Sequence, residues 1–182
     1  YYGDELGMGD WPGLRDRDPN RTPMAWTPAR NGGFSTAPDP LLVLPPITAP
    51  GYDYRVVNVE VQKQLPGSLL NWHRRMLTCR RLLPALRHGN FELLNCSHPG
   101  VISYVRCDGS MTVLVAANLS AAGASLHLDL SRWSGVRTRE VFWGCEYPPA
   151  SEDWFVYLPA HGFSWWLIGE VEDVNSESVS SD

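Results

Sequence analysis

The sequence predicts a mixed fold: the last β/α unit of a larger barrel, with a long irregular loop between strand and helix, followed by an antiparallel all-β sandwich. Three observations predict it. Nine of the 15 prolines fall in the first 50 residues, one strongly periodic helix follows at 69–83, and seven short strand-like runs occupy 91–168.

The irregular stretch comes first. Pro12, Pro19, Pro23 and Pro28 fix φ and remove backbone donors, so regular hydrogen bonding cannot run through "RDRDPNRTPMAW". A structureless run from about Gly7 to Tyr54 is far longer than the ~12–15 residues at which loops inside compact domains become uncommon. It suits a segment held by something outside itself. The opening "YYGDE" has neither Met nor a basic-then-apolar leader, and it reads as the interior of a longer chain.

In the helix, "QLPGS" supplies a turn and Ser68 an N-cap. Leu69, Trp72, Met76, Cys79 and Leu83 then recur at helical spacing on one face. Pro84 should end or kink the helix near Leu83, and Gly89 should stop a last turn. Beyond it, "FELL", "VISYVRC", "MTVLVAAN", "SLHLDL", "TREVFW", "WFVYL" and "GFSWWLI" are rich in β-branched and aromatic residues. They are separated by turn formers, including the hairpin signal Asp108-Gly109. Seven strands without helices read as a sandwich of about 80 residues. The expected domains are therefore 1–89, the C-terminal part of a barrel; 90–169, the sandwich; and 170–182, a disordered acidic tail.

Charge and cysteine usage exclude several classes. Five acidic residues and no basic ones lie at 170–182, so the remainder carries 15 of each sign and offers no clustered basic face for nucleic acid. No run approaches the ~20 apolar residues of a membrane span. Cys79, Cys96, Cys107 and Cys145 form no CxxC pair and the five histidines are scattered, so no metal or cofactor is expected. Reduced thiols point to the cytoplasm.

"YYGDELGMGD", "RTPMAW", "NGGFS", "LLVLPPI", "VNVEVQ" and "SLLNWHRRML" occur in that order, and together they resemble the alpha-amylase family of glycoside hydrolases over residues 1 to about 167. Only eleven residues, Asp10 to Asn20, separate Gly9 from Arg21. That short connection resembles the branch of the family that interconverts maltose and trehalose, rather than the oligo-1,6-glucosidases, which carry a longer insertion there. Ala25 stands where Gln is common in the family, and Gly32 where Ala is common.

The resemblance implies a (β/α)8 barrel whose eighth strand lies at or just before Tyr1 and Tyr2 and whose eighth helix follows Ser68, with the sandwich as the domain after the barrel. It also implies maltose and trehalose as substrates of a full enzyme, working by double displacement through carboxylates upstream of Tyr1. A missing N-terminal barrel portion is then the required partner, with no nucleic acid and no membrane. By that reading no catalytic residue lies in this chain. Asp4 and Glu5 are adjacent, and on a strand they point to opposite faces, so they are expected to anchor the loop rather than flank a bond.

Arg21 is the expected substrate-binding residue. The family's matching arginine pairs with an Asp from the N-terminal part of the barrel and touches the hydroxyls of the non-reducing glucose, work that suits a planar fork of donors. Pro23, Met24 and Trp26 are expected to stiffen and pack it. A loop salt bridge from Arg21 to Asp16 or Asp18 is the competing role, and Arg15, Arg17, Asp16 and Asp18 are expected to be structural. The long loop with Trp11 and Trp26 is a candidate wall that keeps water from the site. Trp133, Trp143, Trp154, Trp165 and Trp166 are read as core or interface in preference to a sugar platform. Two further functions stay open: the matching piece of a hydrolytic alpha-glucosidase, and a stand-alone non-catalytic sugar-binding or interaction module.

Overall fold

A computed structural model describes residues 2–109 and 111–169, in two compact units that divide between Met76 and Leu77. The expected acidic tail at 170–182 and the expected barrel strand at Tyr1 lie outside the described residues, and Tyr2 belongs to no strand.

The first unit contains no strand among its described residues. Short 3-10 turns at Asp4–Leu6, Asp18–Asn20, Arg30–Gly33 and Asp39–Leu41 punctuate the proline-rich stretch, and helix α1 spans Val59–Gln64. Pattern reading does not find α1, because its six residues carry no apolar stripe and no member of it is buried. It forms because its N-terminal donors are met from elsewhere in the chain. Val59 N–H donates to the Ala25 carbonyl at 3.0 Å, Glu60 N–H to the Trp26 carbonyl at 3.0 Å, and Val61 N–H to Asn58 Oδ1 at 2.9 Å. Leu6, Met24 and Leu70 form a small core, flanked by Met8, Val57 and Val59.

Helix α2 spans Leu69–Leu82 and α3 spans Pro84–His88. Ser68 Oγ accepts from Asn71 N–H at 3.2 Å, as an N-cap should. Leu83 is extended (φ −106°, ψ 93°), Pro84 opens α3, and Gly89 N–H closes it on the Ala85 carbonyl. Here the proline breaks the helix where its ring dictates. The apolar face is less uniform than its periodicity suggests. Leu70 and Leu83 are buried, Trp72, Met76 and Cys79 are half-buried, and Leu69 is 40% exposed.

The second unit is an antiparallel sandwich. Strands β1 (Asn90–Leu93), β2 (Val101–Asp108), β3 (Met111–Asn118), β4 (Ala124–Leu128), β5 (Thr138–Glu140), β6 (Glu146–Tyr147), β7 (Trp154–Leu158) and β8 (Phe163–Ile168) make two sheets. One has the order β1-β2-β3-β8-β5-β6 and the other pairs β4 with β7. All seven expected runs carry strands; "TREVFW" stops at Glu140 because Val141–Trp143 turns, and the two-residue β6 beside it was not expected. β2 and β3 pair from Asp108↔Met111, and Gly109 takes the positive φ (57°) that their tight connection requires.

The central strand explains the near-continuous apolar run "MTVLVAAN". Leu114 and Ala116 face the other sheet, among Leu126, Leu128, Trp154 and Trp166, while Val113 and Val115 face Leu83, Ala85 and Leu86 of the α2–α3 turn. A strand covered on both faces loses the polar alternation of a half-exposed one. Trp154 and Trp166 are core residues, in edge-to-face contact at 5.3 Å, whereas Trp143 is 73% exposed. Trp154 Nε1–H donates to the Pro148 carbonyl at 2.9 Å. The buried Glu140 accepts from Ser164 Oγ at 3.0 Å and from Trp143 N–H at 2.6 Å.

Trp154→Ala removes its ring contacts with Trp166 and Tyr147 and that hydrogen bond, so it should cost about 3–5 kcal/mol. Leu119→Ala, at a position 71% exposed, should change stability by no more than about 0.5 kcal/mol. Urea midpoints of the two variants check the contrast.

Candidate functional site

The loop around Arg21 is assembled by neutral groups. Gln62 donates from Nε2 to the Leu6 carbonyl at 2.7 Å and accepts at Oε1 from Leu70 N–H at 3.0 Å, so one amide ties the loop's first turn to α1 and α2. Trp11 N–H donates to the Pro19 carbonyl at 2.9 Å, closing the charged segment into a hairpin-like excursion. Asn31 is buried with φ 56°; its Nδ2 donates to the Ser35 and Ala37 carbonyls. Asparagine is among the few residues that adopt this backbone readily.

Within that frame Arg21 is held by its backbone and free at its head. Its N–H donates to the Asp18 carbonyl at 3.1 Å, and Tyr2 Oη lies 3.3 Å from its carbonyl and 2.9 Å from that of Thr22. Thr22 and Pro23 are buried, and Met24 packs with Leu6 and Leu70. The Arg21 side chain is exposed and makes no ion pair among the described residues. Neither Asp16 nor Asp18 pairs with it, so the competing loop salt bridge does not form. Arg15 and Arg17 are likewise exposed and unpaired there. Arg30 and Arg55 of this unit do pair, with Asp39 and Asp53, both at 2.8 Å.

Other expectations are modified. Asp4 and Glu5 sit in a 3-10 turn rather than on a strand, because Gly3 (φ 98°) and Gly7 (φ 68°) bracket them with left-handed backbone. Glu5 anchors the turn, its Oε2 accepting from Gly3 N–H at 2.9 Å; Asp4 is exposed and contributes its main-chain carbonyl, which accepts from Gly7 N–H. Trp26 is 49% exposed and so does not pack Arg21 in place. Trp11 is half-buried and lines a cleft of about 270 Å³ together with Asn31, Tyr54 and the Arg30–Asp39 pair. Sequence reading did not find Tyr2 or Gln62 as holders of the loop.

The two departures from the family pattern touch one another. Gly32 has φ 66°, a Cβ placed on it would lie 3.3 Å from Ala25 Cα, and its carbonyl accepts from Trp26 and Thr27 N–H at 2.8 and 3.0 Å.

Comparison with known proteins decides the family. A model of the alpha-amylase catalytic domain matches residues 1–89, and a model of the maltogenic amylase C-terminal domain matches 91–165. The chain belongs to the alpha-amylase family. It is 46% identical over 172 residues to a trehalose synthase/amylase of Mycobacterium tuberculosis and 45% identical over 173 residues to a trehalose synthase of Pimelobacter, covering 92% of this chain in both cases. A probable alpha-glucosidase of Rhizobium meliloti matches at 33% over 71% of it. The chain spans less than a third of the trehalose synthases it matches, 29% and 30%.

Among solved structures, isomaltulose synthase from Klebsiella superposes with a TM-score of 0.71 at 22% identity, covering 92% of this chain and 34% of that one. An alpha-glucosyl transfer enzyme superposes at 0.68 with 26% identity, covering 92% and 32%. No helix among the described residues is long and apolar enough to cross a membrane.

The contact at Gly32 predicts that Gly32→Ala alone destabilises the loop by about 1–2 kcal/mol, through its left-handed backbone and the approach to Ala25. Increased proteolysis between residues 20 and 40, with an unchanged sandwich, is the outcome to measure.

Proposed function

We propose that this chain supplies the last β/α unit and the sandwich domain of an enzyme that interconverts maltose and trehalose by intramolecular glucosyl transfer, in the cytoplasm. The observation that carries the reading is the 45–46% identity to trehalose synthases over 92% of the chain, set beside 33% identity over 71% for the glucosidase. Four cysteines, all free thiols, suit a reducing compartment.

In the proposed reaction two carboxyl groups, ~5–5.5 Å apart in a retaining enzyme, come from the part of the barrel this chain does not contain. One attacks the anomeric carbon of the non-reducing glucose of maltose while the other protonates the leaving oxygen. The released glucose then turns and attacks the covalent glucosyl group through its anomeric hydroxyl, giving its proton to the second carboxylate while the bond to the first breaks. Arg21 donates to hydroxyls of the held glucose and pairs with an Asp of the missing portion. Its guanidinium is exposed and unpaired among the described residues, as those of Arg15 and Arg17 are, so all its donors are available for that role. The loop with Trp11 and Trp26 forms part of the wall that keeps water from the covalent intermediate.

The 182-residue chain alone should convert no maltose. A chimera in which it replaces the segment it matches in the Pimelobacter trehalose synthase should form trehalose from maltose. A folded chimera that yields only glucose would point to the hydrolytic alternative, and a folded chimera inert toward maltose would sink the proposal. In that chimera Arg21→Lys should lower kcat/KM by about 10-fold or more, because a charge-assisted hydrogen bond is worth ~1.5–3 kcal/mol and the fork is lost. Thermal unfolding should not change.

A further inference from the structure

We infer that Tyr2 is a positioning residue for Arg21, fixing the direction from which its guanidinium meets the sugar. The inference rests on the reading that Arg21 contacts substrate. Arg21 has φ −113° and ψ 23° as the C-cap of the 3-10 turn Asp18–Asn20, and no regular element continues beyond it. Two contacts hold the backbone on either side of it. On the N-terminal side its N–H donates to the Asp18 carbonyl; on the C-terminal side Tyr2 Oη meets the Arg21 and Thr22 carbonyls at 3.3 and 2.9 Å.

A phenol carries one proton, so the shorter bond to Thr22 is the main one and the Arg21 carbonyl shares it. Residue 23 is proline and has no N–H to offer any partner. The phenol therefore holds the Thr22–Pro23 peptide through its main bond and meets the Arg21–Thr22 peptide through the longer one, joining "YYGDE" to "RTPM".

The consequence is geometric. The guanidinium stands at the end of a long side chain with no ion pair of its own among the described residues, so its position follows the peptide from which it projects. A displacement of ~1 Å is enough to cost about 100-fold in rate where groups must be aligned. Pinning the peptide with a neutral group leaves all the donors of the arginine for ligand and carboxylate. Glu5 and Asp4, nearer in sequence to Tyr2, are not engaged with Arg21.

A double-mutant cycle in the active chimera tests this, with Tyr2→Phe, Arg21→Ala and the pair, scored by kcat/KM for maltose and by thermal unfolding. Tyr2→Phe deletes only the hydroxyl and should lower kcat/KM about three- to tenfold, the scale of one neutral hydrogen bond. The change should split between KM and kcat as it does in Arg21→Lys. In the Arg21→Ala background the same substitution should have no further effect, because nothing is left to position.

Equal losses in both backgrounds, or a lowered unfolding temperature with unchanged kinetics, would overturn the inference and leave Tyr2 a structural residue. An Arg21→Ala variant with normal kcat/KM would overturn the substrate role of Arg21 first, and the role of Tyr2 with it.

Discussion

The side-chain amide of Gln62 is the interaction on which the first unit depends. With Nε2 on the Leu6 carbonyl and Oε1 on the Leu70 N–H, it ties a turn 56 residues upstream of it to the start of α2, beside the small core that Leu6 and Leu70 share with Met24. Its neighbours work in the same way. Asn71 Nδ2 reaches the Gln62 and Leu65 carbonyls, Asn58 caps α1, and Asn31 closes the turn at Ser35 and Ala37. A loop rich in proline cannot satisfy its carbonyls through a ladder, and a carbonyl left unmatched when buried is costly. Carboxamides supply donors without bringing a charge to be desolvated.

Burial is distributed unequally. Among the described residues up to 76 the buried apolar side chains include Leu6, Met24, Ala25, Ile47, Tyr54 and Leu70, whereas the sandwich fills the space between its sheets with whole tryptophans and leucines. Fixing each backbone residue costs roughly 1–2 kcal/mol, so the sandwich has a core to offset that cost and the loop has mostly directional bonds. The proposed function gives the loop its remaining support, from the barrel to which its family likeness assigns it.

The sandwich was legible because its signal is local and repeats. Alternation in "SLHLDL" and "WFVYL", the double-sided run of β3 and the Asp108-Gly109 turn each declare themselves within a few residues. The α2–α3 break was legible for the same reason, since one proline decides it. Helix α1 was not, because the groups that satisfy its first donors are carbonyls more than thirty residues upstream. Asp4 and Glu5 were misplaced on a strand because the left-handed glycines on either side of them look in sequence like ordinary flexible residues. At the candidate site the motif singles out Arg21 as an expectation, while the contact of Tyr2 was hidden, because a phenol bonded to a main-chain carbonyl leaves no spacing rule behind.

The charged stretch "RDRDPNR" takes its meaning from what it does not do. Its arginines and aspartates form no ion pair with one another among the described residues, although they stand within seven positions. Exposed pairs are worth little in water, so leaving them unmatched costs the loop almost nothing. The balance changes when such a group is covered, because a buried charge must be paired. An arginine whose peptide is already fixed by a phenol and a main-chain carbonyl keeps its whole guanidinium for whatever covers it. Holding the backbone with neutral groups and leaving the charge unspent suits the sugar contact proposed for Arg21.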